Sequence, residues 1–339
     1  MKRIRTEDAV GHVLCHDMTQ IIPGVSKGPR FRKGHVVTEE DIPVLLSMGK
    51  ENLFVWEMEP GMVHENDAAE RLAALCGREN MTWSETKEGK IELKSAIEGV
   101  FLVDSARLFA VNSIDELMIA TRRGGGTVHP GDKLAGTRVI PLIIREEKLR
   151  QAEQAAGSAP LLSVRPFVRR TAAVITTGSE VAKGRIPDSF TPVVERKLAA
   201  FGIRMTEHIL VEDGQENVLE AIEQMKRRPV DMILCTGGMS VDPDDSTPGA
   251  IKASGADIVT YGAPVLPGAM FLLGYYGDGR PVMGLPGCVM YAKATIFDLV
   301  LPRIAADVRL EKRDFVAFGE GGLCLGCESC TYPHCGFGR

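Results

Sequence analysis

Apolar runs of strand length alternate with segments of helical periodicity over the C-terminal half of the chain. The strand-like runs occupy residues 172–176, 205–211, 230–235 and 281–285. Between and after them, apolar residues recur every three or four positions over 191–201, 217–226, 248–254 and 288–306. Strands that alternate with helices usually pair in parallel and are covered by those helices. The pattern therefore predicts an α/β domain with a parallel sheet over residues 169–310.

The N-terminal part of the chain has a less regular pattern. Residues 1–90 are typical of a mixed α/β region, with predicted strands at 31–37 and 53–56 and helices at 38–49 and 66–76. Residues 91–150 are β-rich, with strand-like runs at 99–103, 107–111 and 139–144. A charged helix over 146–157 leads into a linker at 151–168, and residues 311–339 form a tail after the α/β domain.

The stretch over residues 230–248 combines a buried strand, a glycine turn, an acidic loop and a helix start. Gly237 and Gly238 allow a positive φ or a close backbone approach. A strand that ends in glycines and opens a helix presents bare N–H groups to an anion such as phosphate. A tight turn without a ligand fits the same local pattern.

Carboxylates crowd the mouth of this turn at Asp242, Asp244 and Asp245. A plain phosphate site would avoid them, so they indicate a bridging cation, a partly cationic ligand or acid/base work. Three further loops follow predicted strands at 177–180, 212–213 and 286–287. Because parallel sheets bind ligands at the carboxyl ends of their strands, we expect all these loops to share one site.

Composition narrows the possible partners. The chain has 339 residues, 44% hydrophobic and 25% charged, with a net charge of -5. Without a basic excess, nucleic acid is not expected as the main partner. The N-terminus lacks the apolar segment of a secretory signal, and no apolar run has the length of a membrane span. A soluble, cytoplasmic protein is therefore expected.

Four of the eight cysteines lie near the C-terminus, at Cys324, Cys327, Cys330 and Cys335. Their spacing is similar to a ferredoxin-type iron–sulfur run, although the last interval is one residue longer and a proline precedes the fourth cysteine. Zinc held by these thiolates, with His334 as an alternative ligand to Cys324, is the main competitor. A redox thiol set without metal remains a third interpretation.

Five motifs in the α/β region resemble the molybdopterin-binding domain of molybdenum cofactor biosynthesis proteins. They occupy residues 177–180, 184–189, 212–213, 236–240 and 284–287, in the order and at about the spacing of that superfamily. The superfamily includes molybdopterin adenylyltransferase, molybdopterin molybdotransferase and the competence-damage-inducible protein. The resemblance implies a three-layer α/β sandwich, and members of the superfamily are often homo-oligomers.

The same resemblance implies roles for individual residues. The phosphate of molybdopterin would lie on Thr236, Gly237, Gly238 and Ser240. Asp188, Asp213 and Asp245 would line the pocket as catalytic carboxylates that help to bind Mg²⁺. The full set of expected cofactor-binding residues comprises Thr177, Gly178, Ser179, Glu180, Thr236, Gly237, Gly238, Met239, Ser240, Asp242, Pro286 and Gly287.

The resemblance is closest to the molybdotransferase, but this chain departs from that enzyme's pattern. The loop that carries lysines there corresponds to residues 263–269 here and has none. The asparagine that follows Leu-Pro-Gly becomes Cys288. Since lysines hold anions such as molybdate, their absence weighs more against molybdate insertion than against molybdopterin binding.

Three functions are therefore compatible with the sequence. The first is an enzyme that inserts molybdate into molybdopterin or its adenylylated form, or that transfers the adenylyl group. The second is a non-catalytic carrier, chaperone or sensor that serves a molybdoenzyme or another cofactor-biosynthesis protein. The third is a Mg²⁺-dependent nucleotide pyrophosphatase.

Overall fold

The computed structural model describes residues 2–22, 26–55, 60–240 and 246–338. These residues form a mixed α/β protein with several separate sheets. The chain folds into two compact units. Unit 1 comprises Met1–Lys94, Val103–Arg122 and Lys133–Ser163, and unit 2 comprises Ser95–Leu102, Arg123–Asp132 and Val164–Arg339.

The strands follow the chain from β1 to β19. They are β1 (Lys2–Arg5), β2 (Met18–Ile22), β3 (Ser26–Phe31), β4 (Asn52–Val55), β5 (Met62–His64), β6 (Met81–Trp83), β7 (Lys90–Ser95), β8 (Gly99–Val103), β9 (Leu117–Thr121), β10 (Thr127–Val128), β11 (Lys133–Val139), β12 (Ile143–Arg145), β13 (Leu162–Arg165), β14 (Thr171–Thr177), β15 (Arg204–Val211), β16 (Met232–Thr236), β17 (Asp257–Tyr261), β18 (Leu272–Tyr275) and β19 (Pro281–Leu285).

The α-helices among the described residues are α1 (Asp41–Ser47), α2 (Glu65–Ala74), α3 (Ser105–Asn112), α4 (Glu146–Ala156), α5 (Ser179–Ala182), α6 (Thr191–Ala199), α7 (Gln215–Lys226), α8 (Thr247–Ala253), α9 (Ile296–Ala305) and α10 (Lys312–Val316). Short 3₁₀ turns lie at Thr6–Asp8, Gly287–Met290 and Ala317–Gly319. In the described ranges, no helix is both long and apolar enough to cross a lipid bilayer.

Unit 1 is built from small antiparallel sheets. A four-stranded sheet has the order β6–β7–β11–β9, and the pairs β1–β4, β2–β3 and β5–β12 are separate. Apolar residues of the first half of this unit form one buried cluster, which comprises Ala9, Leu14, Met18, Phe31, Val37, Leu45 and Leu53. Alternate residues of β7 are buried, as expected for a strand with one solvated face.

Unit 2 contains a six-stranded sheet with the order β15–β14–β16–β19–β18–β17. The first four of these strands run parallel, whereas β18 is antiparallel to β19 and β17 is antiparallel to β18. The sheet is therefore mixed. The five-residue connection 276–280 is too short for a crossover, so β18 and β19 must pair as a hairpin.

The central strands of this sheet bury both faces. Ala172 and Val174 of β14 belong to one apolar cluster, and Ala173 and Ile175 belong to another. The first cluster includes side chains of α6 and α9, and the second includes side chains of α7 and α8. Continuous burial explains why β14, β16 and β19 appear in the sequence as unbroken apolar runs.

Four predicted elements are wrong in detail. Residues 107–111 lie in helix α3, because the Asp104 side chain caps this helix by accepting from the Arg107 N–H at 3.0 Å. The strand predicted over 31–37 is displaced along the chain, because the observed strand β3 covers Ser26–Phe31 and ends where the predicted one begins. The strand predicted over 139–144 is split between β11 and β12 around Pro141, which cannot donate a ladder hydrogen bond.

The long helix predicted over residues 288–306 is also interrupted. A 3₁₀ turn ends at Met290, and α9 begins only after Thr295. Thr295 and Asp298 form a capping box that starts a new helix at this point. The strands β17 and β18 were not predicted at all.

A glycine in unit 2 marks a close backbone approach. Gly268 has a φ of +125°, and an added Cβ would overlap the Ile296 side chain.

We expect Gly268→Ala to lower the free energy of unfolding by at least about 2 kcal/mol, since overpacking adds to backbone strain. Gly277, which has open space around it, provides the matched control. Gly277→Ala should change stability by less than about 0.5 kcal/mol in urea unfolding. Equal losses in both variants would contradict the packing argument.

Candidate functional site

The carboxyl ends of four parallel strands lie along one edge of the unit 2 sheet. Thr177 pairs with Val211 across β14 and β15, while Thr236 pairs with Thr176 and with Leu285. The four loops predicted to form a site follow these strands directly. The parallel register therefore brings them to the same edge, as expected for α/β ligand sites.

The glycine turn after β16 is held against the end of β14. The Thr177 hydroxyl donates to the Thr236 carbonyl at 3.1 Å. Gly237 has a φ of +85°, and a Cβ there would lie 2.5 Å from Thr177 Oγ1 and 2.6 Å from the Thr177 carbonyl oxygen. Both the conformation and the available space thus require glycine at this position.

The start of α8 closes the other side of the turn. The Thr247 N–H donates to the Gly238 carbonyl at 3.2 Å, and the Thr247 hydroxyl donates to the Gly237 carbonyl at 3.0 Å. Gly238 also has a positive φ, of +57°. The carbonyls of the turn are therefore engaged within the protein. Because these contacts already order the turn, a ligand that binds there would lose little free energy to fixing the loop conformation.

Met239 has a packing role in this loop. Its side chain is 3% exposed, and a Cβ at Gly284 would lie 2.5 Å from its sulfur. The Tyr261 hydroxyl donates to the Met239 carbonyl at 3.1 Å. Ser240, the residue after Met239, is exposed.

The loops after β14 and β15 are tied together by a reciprocal pair. The Asp213 carboxylate accepts from the Ser179 N–H at 2.8 Å, and the Ser179 hydroxyl accepts from the Asp213 N–H at 3.3 Å. The pair spans the two loops at their exposed rim. Glu180 is also exposed. The carboxylate of Asp213 thus orders the loop that contains Gly178.

Asp188 is turned toward the start of α6. Its Oδ1 accepts from the N–H groups of Phe190 at 2.9 Å and Thr191 at 3.0 Å. Its Oδ2 is buried, has no hydrogen-bond partner among the described residues, and lies 3.6 Å from His208 Nε2. The same His208 nitrogen lies 3.1 Å from Thr191 Oγ1 and 3.2 Å from Thr176 Oγ1.

These contacts determine the ionisation of Asp188. Burial alone would raise the pKa of the Asp188 carboxyl group, but the Thr191 hydroxyl, the two backbone N–H groups and His208 outweigh burial and lower the pKa. The arrangement is not a nucleophile triad. Such a triad needs the carboxylate on one imidazole nitrogen and the hydroxyl on the other, whereas here both groups approach Nε2.

Of the remaining residues singled out in the sequence, some follow β19 and others lie outside the described part of the chain. Pro286 and Gly287 follow β19 at the same edge and lead into the 3₁₀ turn. Cys288 in this turn is half-buried, and burial raises the pKa of its thiol. Asp242 and Asp245 lie outside the described residues, as does Asp244.

The cysteine tail is anchored to unit 2 at both ends. The Cys324 N–H donates to the Leu266 carbonyl, and the Gly338 N–H donates to the Gly321 carbonyl, each at 2.8 Å. The Tyr332 hydroxyl donates to the Asp298 carbonyl at 3.0 Å. Cys324 and Cys335 are partly buried against the apolar cluster of α9, whereas Cys327 and Cys330 are exposed.

No group of three or more His, Cys, Asp or Glu side chains is placed to hold a metal ion in residues 2–22, 26–55, 60–240 and 246–338. The four thiols are thus near one another in sequence but not gathered around one point in this arrangement.

Sequence patterns gave no indication of three residues that shape the site. Thr247 lies at the predicted helix start but was assigned no role in the site, and Tyr261 lies in a strand that was not predicted. His208 had no partner that could be inferred from the sequence. Its position in β15, opposite Val174 in β14, becomes informative only when the sheet register is known.

Residues 173–306 match a family described as a probable molybdopterin binding domain. This stretch includes all four loops at the carboxyl edge of the sheet. Residues 3–57, in unit 1, match a second family that is described as a domain of unknown function.

Similarity to individual proteins covers a smaller part of the chain. A Bacillus cereus (strain AH187) protein named as competence-damage inducible is 33% identical over 90 residues, which is 26% of this chain and 22% of that protein. A protein of the same name from Bacillus anthracis (strain A0248) matches equally. The match thus spans about a fifth (22%) of the length of these relatives.

Several solved structures are similar to about two-fifths of the chain. CinA from Thermoplasma acidophilum is 18% identical with a TM-score of 0.35, covering 40% of this chain and 98% of that one. The molybdopterin biosynthesis enzyme MoaB from Thermus thermophilus is 17% identical with a TM-score of 0.33, covering 42% and 98%. The molybdopterin biosynthesis Mog protein from Mycobacterium ulcerans is 25% identical with a TM-score of 0.33, covering 40% and 91%.

The lowered pKa of Asp188 predicts that wild type and Asp188→Asn differ in stability by an amount that depends on pH. A carboxylate whose folded pKa is depressed stabilises the protein above its unfolded pKa of about 3.9, and this contribution is lost as the pH falls through the folded value. We expect Asp188→Asn to lower the urea midpoint at pH 7. The gap to wild type should close as the pH is lowered toward the folded pKa.

Asp257→Asn is the control for this comparison, because the Asp257 side chain is 85% exposed. Its urea midpoint should follow that of wild type at every pH. A gap for Asp188→Asn that stays constant with pH would show that shape and not charge accounts for the effect.

Proposed function

We propose that residues 173–306 bind molybdopterin and that the protein acts in molybdenum cofactor biosynthesis. The observation that carries this proposal is the family match, which covers the whole set of loops at the carboxyl edge of the sheet. The glycine turn supports it independently, because its ordered backbone suits an anionic group. The buried clusters on both faces of the sheet are consistent with a three-layer arrangement.

The phosphate of molybdopterin is assigned to the turn that follows β16. Gly237 and Gly238 bring the backbone within reach of a ligand without interference from side chains. Their carbonyls are taken up by Thr247, so the N–H groups are the backbone groups left to bind an anion. Thr177, Gly178, Ser179 and Glu180 would form the opposite wall, and Pro286 with Gly287 the third side.

The finer activity that we propose is molybdate insertion into molybdopterin or its adenylylated form. The carboxylates Asp188, Asp213 and Asp245 would support this reaction together with Mg²⁺, which would neutralise charge on the phosphate. Asp188 and Asp213 are already engaged by backbone N–H groups. Their contribution would then be to shape the site, and Asp245 is the best candidate for direct contact with Mg²⁺.

A binding titration under strict anaerobiosis tests the assignment of the phosphate. We expect wild type to bind molybdopterin, and Gly237→Ala to weaken binding at least tenfold, because the added methyl group displaces the turn from Thr177. Gly277→Ala is the control, since it adds a methyl group in open space and should bind like wild type. Circular dichroism spectra and melting temperatures of both variants verify the fold.

The outcomes separate the competing functions. The protein is a transferase if wild type consumes adenylylated molybdopterin in the presence of molybdate and Asp245→Ala binds it without consuming it. Tight binding without turnover would favour a carrier, chaperone or sensor. If wild type binds no molybdopterin, the proposal is wrong; Mg²⁺-dependent hydrolysis of a dinucleotide would then support the pyrophosphatase.

We also propose that the cysteine tail binds a metal, as a four-iron cluster or as zinc. Two anchored and two exposed thiols lie on a segment that has no regular secondary structure from residue 324 to 338. A metal ion held by the four thiolates would cross-link this segment beyond its hydrogen bonds to the rest of unit 2. The loop between Cys324 and Cys335 would close around the ion.

Metal analysis of anaerobically purified protein tests the tail. We expect about one zinc ion or about four irons with matching sulfide per chain, since four thiolates hold one such centre. Cys327→Ser and Cys330→Ser should remove it, whereas Ser329→Ala, between them, should not. A metal content that stays unchanged in both cysteine variants, or wild type free of metal after growth with both metals, would contradict the proposal.

A further inference from the structure

Unit 1 contains a cleft that the proposed function does not use. Its volume is about 920 Å³, which falls within the range of small-molecule sites. The described residues that line it are Thr19, Lys27, Gly28, Ser84, Glu85, Lys87, Glu88, Lys90, Glu92 and Arg138. None of these lining residues is aromatic or aliphatic, and the charged ends of lysine, arginine and glutamate side chains are the main polar groups in the cleft.

Three elements of unit 1 build this cleft. The β2–β3 hairpin contributes Thr19, Lys27 and Gly28, and the β6–β7 hairpin contributes residues 84–92. Arg138 projects from β11, next to β7 in the same sheet. Residues of two hairpins and a central strand therefore converge on the cleft, although they come from three separate stretches of the sequence.

The sheet face in the cleft contains an unfavourable pair. Arg138 lies directly opposite Lys90 in the antiparallel pairing of β11 with β7, and both side chains are exposed. Like charges in this cross-strand position are destabilising. Lys133 lies opposite Lys94 in the same ladder, outside the cleft lining, so the cleft is distinguished by its lining and not by the like-charge pair alone. An anion bound between the two side chains would relieve the repulsion.

Not all of the cations in the cleft are neutralised within the protein. Glu92 forms ion pairs with Lys90 at 3.0 Å and with Lys133 at 3.4 Å. Lys27, Lys87 and Arg138 form no ion pair with any of the residues that the structure describes. Lys27 and Lys87 thus remain available for a ligand. Arg138, although it forms no such pair, is attracted to the buried Glu65 carboxylate and opposes the burial that raises the pKa of that group. The carboxylates of Glu85 and Glu88 also line the cleft.

The chemistry of the lining selects the class of ligand. Single-stranded nucleic acid is held by aromatic side chains that stack on its bases, and such residues are absent from the described lining. Arginine and lysine together suit phosphate groups, because the guanidinium binds two oxygens at once. The carboxylates of Glu85 and Glu88 and the hydroxyls of Thr19 and Ser84 can pair with hydroxyl groups of a ligand.

We propose that this cleft binds a small phosphorylated molecule that also bears hydroxyl groups. Lys27, Lys87 and Arg138 contact its phosphate, and Arg138 is the main determinant because it lies opposite Lys90. This site is independent of molybdopterin binding, which is assigned to unit 2.

Inorganic pyrophosphate is the probe for this site, titrated into the full chain by calorimetry in buffer without divalent ions. We expect Arg138→Gln and Lys87→Gln each to raise the Kd at least tenfold. Lys94→Gln is the matched control, because Lys94 lies in the same strand as Lys90 but outside the cleft lining. It should change the Kd less than twofold.

Gly237→Ala separates this site from the glycine turn of unit 2. Pyrophosphate binding that survives in Gly237→Ala and is lost in Arg138→Gln supports the cleft. Binding that is lost in Gly237→Ala and kept in Arg138→Gln would overturn the proposal and place the phosphate in unit 2. Absence of any binding to wild type, or an equal loss in Lys94→Gln, would also overturn it.

Discussion

The carboxyl ends of β14 and β16 approach so closely that a side chain at position 237 would overlap Thr177. This contact depends on the parallel register of the sheet, which pairs Thr176 with Thr236 and Thr236 with Leu285. Because these strands are buried on both faces, their ends cannot shift without disturbing two packed clusters. Thr247 then fixes the turn from the side of α8. The position of the glycine turn therefore follows from the packing of the sheet, and no ligand is needed to form it.

The acidic groups around this turn have more than one role. Asp188 accepts hydrogen bonds from the N–H groups of Phe190 and Thr191, which closely follow it, and Asp213 accepts one from Ser179 in the loop after β14. A carboxylate that is satisfied in this way can order a loop, but it loses hydrogen bonds if it turns toward a metal ion. A metal-dependent step would therefore depend chiefly on other carboxylates, such as Asp245. These acidic residues are thus weaker support for catalysis than for an ordered binding site.

The sequence predicted the parallel part of the unit 2 sheet because continuous apolar runs and glycine turns are local signals. It did not predict β17 and β18, although the apolar run at residues 269–276 was a local signal for β18 that was not used. Residues 107–111 were misassigned because an apolar run of five fits a strand or a helix, and only the Asp104 cap decides between them. The loops of the site were predictable from their glycines, whereas the contacts of His208 depend on sheet register and were not.

The two proposed anion sites would bind their ligands through different interactions. In unit 2, the anion would be bound by backbone N–H groups at a strand-to-helix turn, whose partial charges are fixed in place by the fold. In unit 1, it would be bound by long side chains with full charges on a solvated sheet face, where salt screens the attraction. Affinity at the cleft should therefore fall more steeply with ionic strength than affinity at the glycine turn. The salt dependence of binding thus reports which kind of site a phosphorylated ligand occupies.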